Sequence, residues 1–276
     1  MIFQDEIIRS RSNPFVKWAC TLADTKGRNN ASSFILEGEK LTYEALEQGL
    51  PFTHLLVSEA KKDKIIPKLR VFDSNKLYDN VTVIILSEEA FDKISTEKSP
   101  QGVISVIKHL DFFNKLDIIY KEEFFLKPDE KALILCSVRD PGNLGSVIRS
   151  AVAFGTEHII LSDDCTDIYN PKTIRGAMGS LFRIKITIAK DLCATISALK
   201  ENGRRVFAAE LKEGALSVSE AKLTSDDIVI IGNEGHGIPK DISAVCTGSV
   251  YIPISKNTES LNASVAAAIF MWESNK

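Results

Sequence analysis

The feature that most constrains this chain is a unit repeated through its second half. A short apolar run leads into a glycine- or polar-rich turn, and a helical stretch follows. Ala132–Val138 reads as a strand buried on both faces, because its apolar residues come in succession rather than alternately. The turn Asp140-Pro-Gly-Asn-Leu-Gly145 and a helix over Ser146–Phe154 follow it. The series continues with strand His158–Leu161, helix Lys172–Leu181, strand Ile184–Ala189 and helix Leu192–Asn202. Strands Val206–Leu211, Ile228–Gly232 and Val250–Ile254 and a closing small-residue helix complete it. Such alternation predicts an α/β fold with a mostly parallel sheet and helices on both faces. Ligands bind such sheets outside the carboxyl ends of the strands. Three unusual turns lie there: Asp140–Gly145, Gly232–Gly237 and the stretch from Pro253 to Asn262.

The first half has the same rhythm on a smaller scale. Phe34–Gly38, Thr53–Val57, Val81–Leu86 and Val103–Ile107 read as strands, with helical stretches at Glu39–Gln48 and Glu88–Ile94. Pro67 interrupts a Lys/Ile-rich segment, Lys61–Leu69, in which Lys61, Lys64 and Lys68 share one helical face. That face suits either solvent or phosphate, solvent being the commoner case. Residues 1 to 30 interleave Arg9, Arg11, Lys17, Lys26 and Arg28 with Phe15 and Trp18. They read equally as a basic arm or as a polar helix with one aromatic face on the body. The rhythm breaks between His109 and Pro128. The expected organisation is therefore a module over 1–110, a connector over 111–128 with a helix as one reading of it, and a larger α/β domain over 129–276.

A chain of 276 residues can bury two modest cores. No run of about eighteen apolar residues is present to span a membrane. The opening Met1-Ile-Phe-Gln-Asp-Glu has neither the basic flank nor the apolar core of a signal peptide, which points to the cytoplasm. The five cysteines and four histidines show no metal-ligand spacing, so no metal is expected and the thiols are read as reduced. Net charge is −3, and neither half carries the basic excess that announces nucleic-acid binding by itself.

The turns narrow the chemistry. Pro141-Gly142 forces a tight turn, Asn143 is placed to cap the next helix, and Arg149 lies about two turns into it among apolar residues. A guanidinium there needs a partner, either a carboxylate or a ligand phosphate. Gly232-Asn-Glu-Gly-His-Gly237 lacks the Lys-Ser/Thr ending of a phosphate-binding loop and does not open a helix in the dinucleotide pattern. Its Glu234 repels phosphate and suits a cation, with Arg149 as a natural partner. Ser260 stands where the N-cap of the last helix is wanted. No G-x-S-x-G elbow supports a serine hydrolase.

Taken together, Asn143-Leu-Gly145 with Arg149, Gly232-Asn-Glu-Gly235, and Ile252-Pro with Ser260-Leu-Asn262 resemble the three motifs of the SpoU (TrmH-type) RNA ribose methyltransferases of the SPOUT superfamily. The resemblance runs from about residue 130 to 274, and Thr173-Ile-Arg-Gly-Ala-Met-Gly179 is also similar to the family. Phe34-Ile-Leu-Glu-Gly-Glu-Lys40 is similar to the opening of the family's substrate-binding module, itself like a small ribosomal protein that grips RNA.

The resemblance implies a trefoil-knotted domain, a homodimer packed through it, and S-adenosylmethionine as methyl donor. It places Gly232, Ile252 and Leu261 around the adenosine, with Glu210 and Leu211 lining the same cleft. It implies Arg149, Asn143, Glu234, Ser260 and Asn262 as the catalytic set. Arg149 acts either as general base or as the group that fixes a phosphate and stabilises the developing alkoxide. RNA contacts are expected from Arg9, Arg11, Lys17, Arg28, Lys40 and Arg175. Ribosomal RNA is favoured because the chain has a separate N-terminal module, in a housekeeping or an antibiotic-resistance role. Transfer RNA methylation and a non-catalytic RNA-binding or assembly factor are the alternatives. One departure stands out: many members have a glycine in the third turn, where this chain reads Ser255-Lys256-Asn257.

Overall fold

The computed structural model describes residues 1–74, 76–110, 126–127 and 129–276. The expected connector over 111–128, with its helix, lies almost wholly outside the described residues. Two compact units are present, one of Met1–Leu110 with Tyr169–Ile174, the other of Asp111–Ile168 and Arg175–Lys276.

The first unit runs β1 (Ile2–Ile8), α1 (Pro14–Thr21), α2 (Thr25–Ala31), β2 (Ser33–Glu37), α3 (Glu39–Glu47) and β3 (Phe52–Ser58). It continues with α4 (Lys62–Arg70), β4 (Thr82–Leu86), α5 (Glu88–Ile94) and β5 (Val103–Lys108). The five strands lie in the order β1-β4-β3-β5-β2. β1, β4 and β3 are mutually parallel, while β5 runs antiparallel to both β3 and β2. Strand periodicity sends Ile35, Leu56, Ile84, Ile104 and Val106 to one face, where they meet Val16 and Ala19 of α1 and Phe91 and Ile94 of α5. The opposite face receives α3 and α4, and a buried Thr42–Ser105 hydroxyl pair at 2.8 Å ties α3 to β5.

Residues 1 to 30 are therefore no free arm. Ile2–Ile8 is an edge strand that the sequence did not reveal, because its apolar residues are split by Gln4-Asp-Glu6. α1 packs on the body, with Phe15 and Trp18 rings 5.1 and 5.5 Å from His54. Pro67 does not interrupt α4: it and Asp63, whose carbonyl it leaves unbonded, are both exposed, so water can serve that oxygen.

The second unit contains β6 (Ala132–Leu135), α6 (Pro141–Ala153), β7 (His158–Ser162), the end of α7 (Pro171–Ala177) from Arg175 on, β8 (Lys185–Ala189) and α8 (Leu192–Glu201). Then come β9 (Val206–Ala209), β10 (Leu216–Ser217), β11 (Ile228–Ile231), α9 (Lys240–Val245), β12 (Gly248–Tyr251) and α10 (Ala263–Glu273). The seven strands lie in the order β10-β12-β9-β11-β6-β7-β8, every neighbouring pair parallel. β6, β7 and β11 are buried along their whole length, as a sheet covered on both faces requires. Ile134, Ile160, Ala208 and Ile230 pack with Ile196 and Leu199 of α8. On the other side α6 packs against α10, which also reaches β11.

Several boundaries shift for local reasons. β6 stops at Leu135 because Ser137 turns into the left-handed region at φ 56. The helix begun at Pro171 ends at Ala177, where Met178 at φ 53 starts a 3-10 stretch to Arg183. α6 starts five residues earlier than expected, at Pro141, because proline suits a first helical position. Its N-cap is Asp140, whose Oδ1 accepts from the Asn143 N–H at 2.7 Å, so Asn143 is not the cap. Nor is Ser260 the cap of the last helix. Asn262 is, its Oδ1 accepting from the N–H groups of Ser264 at 2.9 Å and Val265 at 3.4 Å.

Candidate active site

The three unusual turns meet at the carboxyl end of the second unit's sheet. A cleft of about 240 Å³ opens between the ends of β9, β11 and β12 and the start of α10. Its floor is apolar, from Ile231, Val250, Ala266 and Phe270. Gly232, Ile252 and Leu261 line it, as do Glu210, Leu211, Glu234 and Ser260. All five residues predicted to surround the cofactor thus share one cavity. The lining combines an apolar slot, backbone from three loops and two carboxylates. That donor set suits an adenosine joined to a cationic sulfonium and ammonium.

The Gly232–Gly237 loop is held in shape by Asn233. Its backbone N–H and C=O pair with Gly237 at 3.1 and 2.8 Å. Its Oδ1 accepts from the N–H groups of Gly235 at 2.9 Å and His236 at 3.1 Å, and its Nδ2 donates to the Ser137 carbonyl at 2.9 Å. The loop folds so tightly that a Cβ on Gly232 would lie 2.6 Å from the Gly237 carbonyl carbon, which only glycine tolerates. Asn233 was missed in the sequence. It lay inside the Gly232–Gly235 motif, but an amide next to a glycine is common in any turn and gave it no role of its own.

Asn143, Glu234 and Asn262 form a chain of hydrogen bonds with a fixed direction. Asn262 Oδ1 accepts from the start of α10 and from the Ser264 hydroxyl at 2.6 Å, so its Nδ2 is the free end. That Nδ2 donates to Asn143 Oδ1 at 2.9 Å, and Asn143 Nδ2 in turn donates to the Glu234 carboxylate. Each amide's orientation follows from the one before it. The helix start thereby sets the polarity of the whole chain, which ends on a carboxylate that must accept.

Arg149 is not part of that chain. It is exposed on α6, and among the described residues it has neither an ion pair nor a hydrogen bond with Glu234. The expected Arg149–Glu234 pairing does not form, because Asn143 takes the Glu234 oxygen and Arg149 points to water rather than into the apolar core. At the other side of the cleft Glu210 is held by Ser243 at 2.5 Å, Lys212 at 2.6 Å and Ser249 at 2.8 Å. Burial pushes its carboxyl up, but these hydrogen bonds outweigh it and hold Glu210 below the usual carboxylate range. Ser243 sits on α9, a six-residue helix too short for its period to register in sequence.

The residues expected to touch RNA are scattered in role. Arg28 is 1% exposed and donates to the carbonyls of Leu22 at 3.0 Å and Ala23 at 2.7 Å and to the Thr25 hydroxyl at 3.0 Å. It closes the α1–α2 turn and cannot reach a phosphate, so that expectation is corrected. Arg9 makes a bidentate pair with Glu59 at 2.9 and 3.1 Å. Arg11 and Lys17 are exposed, and Lys40 is exposed with Glu44 at 3.9 Å. Arg175 is half-buried on α7. Beside it Gly176 lets α7 approach α6, for a Cβ there would lie 3.1 Å from Gly145 Cα. The similarity noted at Thr173–Gly179 thus has a packing cause as well.

A parallel α/β unit with a glycine-held loop, a cleft at its strand ends and an amide chain across the rim is the architecture of a cofactor-dependent transferase domain. Residues 130–272 match the SpoU rRNA Methylase family, and the chain belongs to that family. Residues 13–105 match the MRM3-like substrate binding domain. A 23S rRNA (guanosine(2553)-2'-O)-methyltransferase, RlmP of Bacillus subtilis (strain 168), is 31% identical over 265 residues, 96% of this chain and 97% of that one. A 23S rRNA (uridine(2479)-2'-O)-methyltransferase of Streptomyces viridochromogenes is 26% identical over 96% of this chain and 90% of its own. The crystal structure of an AdoMet-bound rRNA methyltransferase from Sinorhizobium meliloti superposes with a TM-score of 0.83 at 28% identity, covering 98% of this chain and 97% of that one.

Proposed function

We infer that this protein transfers a methyl group from S-adenosylmethionine to a ribose 2′-hydroxyl of ribosomal RNA, with 23S RNA as the substrate. The observation that carries the reading is the single cleft bringing Glu210, Leu211, Gly232, Ile252 and Leu261 together beside the Asn262–Asn143–Glu234 chain. The full-length likeness to two 23S ribose methyltransferases supports the choice of RNA.

Bound in the cleft, S-adenosylmethionine supplies an electrophilic methyl. The residues of the chain do the rest. Ile231, Val250 and Phe270 offer an apolar slot to an adenine ring, and Gly232, Ile252 and Leu261 offer backbone edges. Glu234 presents negative charge to a cation, kept in place by Asn143. Asn143 and Asn262 fix the rim against which a ribose is oriented, and orientation supplies much of such a rate enhancement. Ser260 lies on the cleft wall, and its carbonyl accepts from the Thr258 hydroxyl at 3.5 Å within the third turn. Arg149 is exposed on α6, and a guanidinium, as a planar cation with several donors, suits phosphate fixing and alkoxide stabilisation better than a general-base role.

The same reading extends to three further properties. The C-terminal segment forms a trefoil knot, a reading supported by the insertion of β12 between β10 and β9, both earlier in the chain. The protein is a homodimer through this unit, for α10 leaves Val265 and Trp272 47% and 55% exposed beside Phe154. It works in the cytoplasm on RNA of the ribosome. Among the described residues no group of three or more His, Cys, Asp or Glu side chains is placed to hold a metal ion.

The test is transfer of labelled methyl from S-adenosylmethionine to separated unmodified ribosomal and transfer RNA. Label in ribosomal RNA that leaves an alkali-resistant dinucleotide is the expected result. Label in transfer RNA reassigns the substrate. Cofactor binding without label on either pool or on ribosomal particles makes the chain an RNA-binding factor. Sedimentation in the same buffer tests the dimer.

A further inference from the structure

Positive charge in the first unit is concentrated on one helix. From Lys61 to Arg70 there are five basic residues and one acidic one, in a unit whose remaining residues carry no basic excess. Ile65 and Leu69 anchor α4 to the sheet, and that leaves Lys61, Lys64, Lys68 and Arg70 exposed. Among the described residues Lys61 has no ion pair, and its aliphatic stem lies against Gly102, whose added Cβ would come within 2.5 Å of it.

Lys64 and Lys68 are different. Both reach one carboxylate, that of Glu39 in the first turn of α3: Lys64 takes Oε1, and Lys68 takes Oε2 at 3.0 Å. Residues four apart on a helix point the same way, and one acceptor draws the two ammonium groups together. Hydrogen bonds from Lys64, ahead of the smaller effect of burial, keep Glu39 below the usual carboxylate range, so it stays charged at neutral pH. The two lysine side chains are 60% and 49% exposed, which leaves the pair open to an anion from solvent.

We propose that the Lys64–Lys68 pair on α4 is a contact for the phosphate backbone of the RNA substrate, and that Glu39 is an internal competitor which holds the two lysines side by side and yields them when RNA arrives. The proposal rests on the ribosomal-RNA reading above. A carboxylate shared between two ammonium groups keeps them close at a small electrostatic advantage on an exposed surface, so a phosphate that brings its own charge can displace it. Neutralising a phosphate releases counterions, which makes the contact visible as salt dependence. The competitor gives the test an unusual sign: removing the lysines weakens binding, and removing the acid strengthens it. Were the cluster only a clip between α3 and α4, both changes would leave RNA affinity where it was.

The experiment measures affinity for unmodified 23S RNA transcribed in vitro, between about 50 and 200 mM salt, with wild type, K64A/K68A and E39Q. Affinity for S-adenosylmethionine is the control for the second unit, and the melting temperature is the control for folding of the first. K64A/K68A is expected to bind RNA about tenfold more weakly, its log–log salt slope shallower by about 1.4, at roughly 0.7 per lost contact to unpaired RNA. E39Q is expected to bind about threefold more tightly, with a slope at least as steep as wild type. Slopes and affinities that coincide in all three proteins overturn the proposal, as does an E39Q that binds more weakly while holding the cofactor normally. A wild type that binds the cofactor but no ribosomal RNA overturns the functional reading along with it.

Discussion

In the first unit Arg28, Glu37 and Glu88 are drawn into hydrogen bonds that close loops, whereas in the second unit Asn143, Glu234 and Asn262 converge on the rim of a cleft. Glu37 accepts from the Thr96 N–H at 2.9 Å and hydroxyl at 3.0 Å and from Ser95, and Glu88 accepts from Ser58 at 2.5 Å and the Ala60 N–H at 3.0 Å. These groups are consumed by the fold. The amide chain of the second unit also fixes a helix start, but its far end is a carboxylate at a cavity. Arg28 and Arg149 make the contrast sharpest: one is buried with its carbonyls satisfied, the other lies on a helix facing water beside the cleft-forming turn. A polar residue that the fold has not used is the better guide to function than one that merely carries charge.

Exchanging the two arginines for alanine tests the contrast most strongly. Arg149→Ala is expected to lower methyl transfer by at least about 10²-fold, as loss of a charge stabiliser does, with cofactor affinity and melting temperature unchanged. Arg28→Ala is expected to do the reverse. It leaves the Leu22 and Ala23 carbonyls without their donor and cuts stability by about 3 kcal/mol in urea unfolding. Turnover at low temperature stays near wild type. An Arg28 variant that stays stable but loses RNA would break the comparison.

Asn262 belongs to both sides of it, as helix cap and as donor to Asn143. Asn262→Ala is expected to lose about 1 kcal/mol with the cap and more than tenfold in turnover with the donor. Asn262→Ser separates the two, since serine caps nearly as well but has no amide to reach Asn143. Stability should return and activity should not. A serine variant with restored turnover would mean that the amide chain serves only the fold.

How much of this could be read from the chain alone follows the same division. The parallel α/β domain was legible because β6, β7 and β11 are apolar end to end, and a strand buried on both faces leaves that mark in any sequence. The cleft residues were legible through three turns whose residue types resemble a known family. Illegible were β1, a two-sided edge strand with split apolar residues, and β10 and α9, two and six residues long. The caps were misplaced by two residues at Ser260 and by three at Asn143, because serine, asparagine and aspartate compete for one role and only the backbone decides which is in place. Arg28 was misread for a reason that composition cannot repair. An arginine in a stretch that interleaves cations with aromatics looks the same whether its guanidinium meets a phosphate or a pair of carbonyls.

The smallest expected effect concerns Glu210, a residue that sits on the division itself. It lines the cleft, yet its Oε1 is already taken by Lys212, Ser243 and Ser249. Its folded pKa is held below its unfolded value, so the folded state favours the ionised form. The resulting stability is present above the ordinary glutamate pKa of about 4.3 and is lost as pH falls through the depressed folded value. Wild type should therefore lose more stability than Glu210→Gln between pH 7 and pH 3.5 in urea unfolding. Because Glu210 is partly exposed, the difference should be well under about 1 kcal/mol. Cofactor affinity at pH 7 then decides which side of the comparison Glu210 belongs to. If Glu210→Gln binds S-adenosylmethionine as wild type does, its carboxylate is occupied by the fold, like Glu37. A clear loss of affinity with the pH dependence intact would place it with Glu234, as a charge the cleft holds for its ligand.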